Sequence, residues 1–221
     1  MMAVVCSALL LAGAGVDAAD FTLKTADKPP PQEIGDSMRG TLQAKAIQLM
    51  QSDKPVLEIW FRQEVPLKSK PASAKESLGT IRETTFMGVV SIIDTSLHDY
   101  KDNEIPKGIY TVRYGLQPKD GDHLGTSEFD YYFVLIAATD DKDLNGLSKF
   151  KSMVKASGKS TASGHPLVVS LRPASGGNAM PGLTDPEAEH KAILVNVPAI
   201  AGEQKTEIAF EMVYQGHGHI Q

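Results

Sequence analysis

A chain of 221 residues with 42% hydrophobic and 22% charged side chains can bury a sizeable core, a balance foreign to both disordered polymers and membrane bundles. Its formal net charge of −5 supplies no positive field, and no Lys/Arg cluster is dense enough to gather a phosphate backbone, so nucleic acid is not an expected partner. The single cysteine, Cys6, rules out an internal disulfide framework.

Residues 1–18 read as a signal peptide. They are uncharged through Val16, carry an apolar run of signal length from Val4 to Gly15, and end in small residues, Val16 and Ala18, suited to a peptidase. The run is too short to span a bilayer. It departs from the usual pattern in having no basic residue ahead of it and in placing Asp17 between the small residues. The expectation is an exported protein, periplasmic or extracellular, with no membrane span. Cys6 leaves with the signal, and because it precedes most of the apolar run it does not read as a lipid-attachment site.

Residues 19–41 read as an extended N-terminal linker with a first strand. Phe21-Thr22-Leu23-Lys24-Thr25 alternates, and Lys28-Pro29-Pro30-Pro31 must be extended and outside any central ladder. The remainder, 42–221, reads as a single domain. Apolar runs at 42–50 and 56–61 are broken by a turn-rich segment. Leu57, Ile59 and Phe61 share one face, and Trp60 falls on the other, as a surface contact or the floor of a second layer. Residues 68–77 lack periodicity and read as an exposed loop. A strand over 81–93 carries Gly88 as an expected bulge. In 109–114, Tyr110, Val112 and Tyr114 alternate with Thr111 and Arg113. Residues 128–138 are apolar on both phases, which predicts a central strand. Leu144, Leu147, Phe150, Met153 and Val154 predict an amphipathic helix over 143–155, started by Asp143 and stopped by Gly158. Three further strands follow at 166–171, 192–197 and 207–214. The pattern predicts a mainly all-β protein, an antiparallel β-sandwich of about nine strands with one short helix.

The densest polar cluster lies between two strong strands, in Gln117-Pro118-Lys119-Asp120-Gly121-Asp122-His123-Leu124-Gly125-Thr126-Ser127-Glu128. Asp120, Asp122, His123 and Glu128 offer oxygen and nitrogen ligands on a loop, where a rigid β-scaffold usually displays function; ordinary turn chemistry accounts for the same residues. Asp141-Lys142-Asp143-Leu144-Asn145-Gly146 imitates the opening of a calcium loop, but Ser152 stands where the bidentate Glu belongs, and helix capping explains Asp143. At the end of the chain, His217 and His219 are spaced to chelate Cu²⁺ or Zn²⁺, with His123 as a further ligand, or to stand as surface histidines. No nucleophile elbow, phosphate loop, dinucleotide fingerprint or zinc-protease motif is present, and no catalytic residue is assigned.

The run Gly108-Ile109-Tyr110-Thr111-Val112-Arg113-Tyr114-Gly115-Leu116-Gln117-Pro118-Lys119-Asp120-Gly121-Asp122-His123-Leu124-Gly125-Thr126-Ser127 resembles a group of exported bacterial proteins. The resemblance implies export and a bacterial envelope setting and names no reaction. The leading expectation is therefore a non-enzymatic, extracytoplasmic binding or accessory protein acting through the 117–128 loop on an unidentified protein or small molecule. The alternatives are a periplasmic Cu/Zn-binding protein using His123, His217 and His219, and a carboxylate-dependent hydrolase using Asp120, Asp122 or Glu128 with His165 nearby.

Overall fold

A computed structural model describes residues 21–94, 97–98, 104–118, 129–174, 180–187 and 190–215. Alternation of branched or aromatic residues with polar ones produces eleven strands: β1 (Phe21–Ala26), β2 (Ala46–Gln51), β3 (Lys54–Phe61), β4 (Val65–Pro66), β5 (Phe86–Ile92), β6 (Gly108–Leu116), β7 (Tyr131–Ala137), β8 (Leu167–Pro173), β9 (Gly182–Glu187), β10 (His190–Ala201) and β11 (Gln204–Gln215). They form one sheet in the order β1-β2-β3-β5-β6-β7-β8-β11-β10-β4, with β9 also paired to β10. Every pairing is antiparallel except the short parallel contact of β4 with β10. Two helices, α1 (Asp36–Arg39) and α2 (Phe150–Gly158), lie outside the sheet.

The protein is mainly β, as expected, but its strands are not divided between two stacked sheets. The described strands are hydrogen-bonded into one sheet, and twist curls it into a half-barrel whose inner face closes on itself. Rings from distant strands meet inside: Phe61 (β3) and Phe133 (β7) both pack edge-on against Phe210 (β11), with centroids 5.9 and 5.5 Å away. Phe21 of β1 reaches Tyr214 of β11 at 5.3 Å, so the first strand wraps toward the far side of the sheet. The faces that a sandwich would oppose are thus opposed by curvature. Among the described residues, eleven strands and two α-helices stand against the expected nine and one. The additions are β4 and β9, edge elements holding Pro66 and Pro186, and α1, a single turn whose N-cap, Gly35, offers no side chain.

Leu57, Ile59, Phe61, Tyr110, Val112, Tyr114, Phe133, Leu135, Ile208, Phe210, Met212 and Tyr214 all line the inner core, on the phase that alternation assigned to them. A cavity of about 20 Å³ lies there among apolar side chains including Leu57, Val90, Leu135 and Met212. That is room for roughly one water, with too few polar partners to hold it.

A second layer covers the outer face. Trp60 is fully buried with Ile34, Met38, Leu42, Phe86 and Val89, so it is the floor of that layer and not a surface residue. Its Nε1–H donates to the Lys28 carbonyl at 2.7 Å, and Lys28 Nζ lies 5.9 Å from the ring centroid while pairing with buried Glu58 at 2.6 Å. The proline-rich stretch after β1 is therefore laid against the sheet. Gly35 is required where this stretch crosses the 141–147 segment, since a Cβ there would lie 2.2 Å from the Lys142 carbonyl oxygen. Beside it, α2 packs Phe150, Met153 and Ala156 onto Val134 and Ile136 of β7. Gly88 sits at a register shift between β5 and β6, the bulge expected of it.

Candidate functional site

The β6–β7 hairpin carries the polar loop singled out in the sequence. Its strands pair in unbroken register from Tyr110↔Ala137 to Leu116↔Tyr131, and the Gln117 N–H donates to the Asp130 carbonyl at 2.8 Å just beyond the last pair. Gly115 has no side chain because a Cβ would lie 2.4 Å from the Tyr132 ring, whose hydroxyl donates to the Leu116 carbonyl at 3.0 Å. On the inner face, Tyr114 donates to the Leu78 carbonyl at 2.7 Å and stacks on Tyr131 at 6.4 Å. Burial pushes the Tyr114, Tyr132 and Tyr214 hydroxyls well above the ordinary tyrosine value, with smaller pushes from Glu83 on Tyr114 and Tyr132 and from Asp185 on Tyr214.

The outer face of this hairpin is where composition misleads. Arg113 reads as a solvent-facing residue of a half-buried strand, yet it is 1% exposed and faces Asp141 at 2%. The pair is bidentate, Nε to Oδ2 at 2.7 Å and Nη2 to Oδ1 at 2.8 Å, and Thr111 Oγ1 donates to Oδ2 at 2.7 Å. The remaining guanidinium hydrogens go to the carbonyls of Thr84 at 3.0 Å, Leu144 at 3.3 Å and Asp143 at 2.8 Å. All five donors of a buried cation are thereby used. Thr84 is held at φ 68°, a left-handed backbone rare for a β-branched residue, by this bond and by its own N–H donating to the Tyr114 carbonyl at 2.8 Å.

This network goes with one correction. Helix α2 begins at Phe150 and not at Asp143: residues 143–147 form a separate turn in which Asp143 Oδ1 accepts the Asn145 N–H at 2.9 Å and its carbonyl accepts the Gly146 N–H at 3.1 Å, with Arg113 donating to the Asp143 and Leu144 carbonyls. The Asp141 carboxylate, which opens the calcium-like run, is shared between Arg113 and Thr111.

Asp120, Asp122, His123, Glu128, His217 and His219 lie outside the described residues. What frames them is described. Beside the end of the loop, Phe129 stacks on the Arg172 guanidinium at 4.9 Å, and Arg172 lies 3.9 Å from buried Glu211. The register Leu116↔Tyr131↔Leu171↔Met212 puts Gln215, where the histidine tail begins, two strands from β7 and three residues further from the loop end of the sheet, because β11 runs away from that end. By strand geometry the two departures are about 10 Å apart along the strands and about 10 Å across them. Of the other histidines, His98 sits in a bridge with Glu104 and its backbone N–H donates to the Tyr214 carbonyl at 3.3 Å, His165 is exposed in the turn after α2, and His190 is buried at the start of β10, next to Lys191, which pairs with Gln215. Among the described residues, no three His, Cys, Asp or Glu side chains gather to hold a metal, and no helix is long and apolar enough to cross a membrane. The Arg113–Asp141 pair is the feature that sequence reasoning missed, because no local spacing joins residues 28 positions apart.

Compared with protein-family models, with curated proteins and with solved structures, the chain finds no match.

Proposed function

We propose that this is a non-enzymatic, extracytoplasmic binding or accessory protein that engages its ligand through the 117–128 loop. The observation that carries the reading is the platform under the loop. The β6–β7 hairpin is buried on both faces, in register to its last pair, and locked from outside by a fully satisfied Arg113, so the loop's ends are held by rigid backbone. Rigid strands with a polar loop between them are the usual way a β-scaffold presents a recognition surface. In this reading the curled sheet serves as a sandwich does, with two walls closing over a dry interior and recognition left to connecting segments. The likeness of the 108–127 run to exported bacterial proteins supports the address.

The test is a thermal-shift screen of sugars, peptides, acyl compounds and metal ions on native protein and on Asp120→Asn/Asp122→Asn/His123→Ala/Glu128→Gln. A ligand that raises the native midpoint and leaves the variant unmoved supports the reading. Turnover of a generic ester, glycoside or phosphate substrate that His123→Ala abolishes would replace it with the hydrolase reading.

A second reading, a Cu/Zn site shared by His123, His217 and His219, requires the tail to turn back toward the loop, because β11 runs away from the loop end of the sheet. Stoichiometric Cu or Zn in protein purified without a tag, lost on His217→Ala/His219→Ala, would select it.

A further inference from the structure

We infer that the outer face of α2 is a docking surface for anionic lipid headgroups. The charge of this chain is segregated. Between residues 144 and 184 there are Lys149, Lys151, Lys155, Lys159 and Arg172 and no Asp or Glu, in a protein whose net charge is −5. The fold sorts these cations further. Arg172 lies beside Glu211, and Lys159 is paired with Asp140. Lys149, Lys151 and Lys155 are exposed and, among the described residues, make no ion pair or side-chain hydrogen bond. Asp143, just before this stretch, uses its Oδ1 to accept the Asn145 N–H.

The helix cannot turn these lysines away. Phe150, Met153 and Ala156 are committed to β7, and Ser157 Oγ donates to the Leu135 carbonyl at 2.6 Å while accepting the Leu167 N–H at 2.8 Å. Lys151 and Lys155, four apart, therefore stand on one outward row, and Lys149 is exposed at the N-cap. For the helix alone this is a poor arrangement. Two lysines sit at the positive end of the macrodipole, with no acid in the first turn, and the like pair at i,i+4 is repulsive. Each term opposes the fold by a few tenths of a kcal/mol. Conflicts between local preference and fold are tolerated chiefly where function uses them.

The chemistry of the patch selects the partner. All its cations are lysines, mobile point charges on long stems, with no arginine fork for a fixed carboxylate or phosphate geometry. A row of lysines on the convex side of one helix suits a diffuse, nearly flat sheet of negative charge, which an anionic bilayer leaflet provides. The rest of the protein does not cancel this attraction. α2 is nine residues long, about 13 Å, and at about 0.1 M salt the screening length is about 10 Å, so an adsorbed leaflet senses the helix more than distant acids. The inference does not depend on the 117–128 loop.

The experiment is co-sedimentation of purified protein with phosphatidylcholine vesicles, with and without phosphatidylglycerol, at about 0.1 M salt. Binding is expected to need phosphatidylglycerol, to vanish at about 1 M salt, and to fall about a hundredfold in Lys149→Gln/Lys151→Gln/Lys155→Gln. An equal charge change elsewhere on the exposed surface, Lys68→Gln/Lys70→Gln/Lys75→Gln, is expected to leave binding intact. Unchanged circular dichroism in both variants separates lost contact from lost fold. Absence of lipid-dependent binding, or equal binding by the two variants, overturns the proposal. So does capture by immobilised polyglutamate without capture by vesicles, which would point to an acidic protein instead.

Discussion

The inside and the outside of the curled sheet are both buried, and they are buried by different physics. The inner face is apolar along its whole length, so its stability is a matter of area removed from water and of ring packing among Phe61, Phe133 and Phe210. The outer layer buries charge as well: Arg113 with Asp141, and Glu58 with Lys28 and Gln48, each group supplied with partners. The difference teaches that the inner wall tolerates shape changes gradually, whereas the outer layer fails sharply when one partner is removed, because a buried charge is then left without compensation.

The sharpest way to break the contrast is Arg113→Met, which strands the Asp141 carboxylate; chemical denaturation should show a loss of about 3–5 kcal/mol. The inner wall is better probed by alkali. The Tyr114 and Tyr214 hydroxyls ionise above the ordinary value in the folded protein, so stability is intact below about pH 10 and falls as the unfolded chain's tyrosines ionise first. One pH unit above 10, each should cost about 1.4 kcal/mol, read as a lower denaturant midpoint. A smaller effect, about 1 kcal/mol, is expected for Trp60→Phe, which keeps most of the ring's bulk in the outer layer but leaves the Lys28 carbonyl without its donor. Circular dichroism during thermal unfolding would report it.

The inner wall was legible in the sequence and the outer layer was not. Period-two alternation names the inward residues of β3, β6 and β11 because one face of each strand must be apolar to close the curl. The double-sided burial of β7 was legible too, since Val134 and Ile136 are as apolar as Phe133 and Leu135. Arg113 and Thr111 read as solvent-facing by the same rule, and the rule fails there because their partner, Asp141, arrives from a distant segment. The start of α2 also differs, since a separate turn, to which Arg113 donates, stands where the helical pattern looked continuous from Leu144. Curvature has no signature in alternation, so a single curled sheet and a two-layer sandwich read alike. Of the candidate site, only its frame can be described: the hairpin, the Phe129–Arg172 stack and the start of the tail.

The account rests on the outer ion pair holding the hairpin that presents the loop, and a double-mutant cycle on Arg113→Met and Asp141→Asn measures that coupling directly. The account predicts that the two losses overlap, with the double variant less destabilised than their sum by about 2 kcal/mol or more. Losses that simply add, to within about 0.5 kcal/mol, would contradict it.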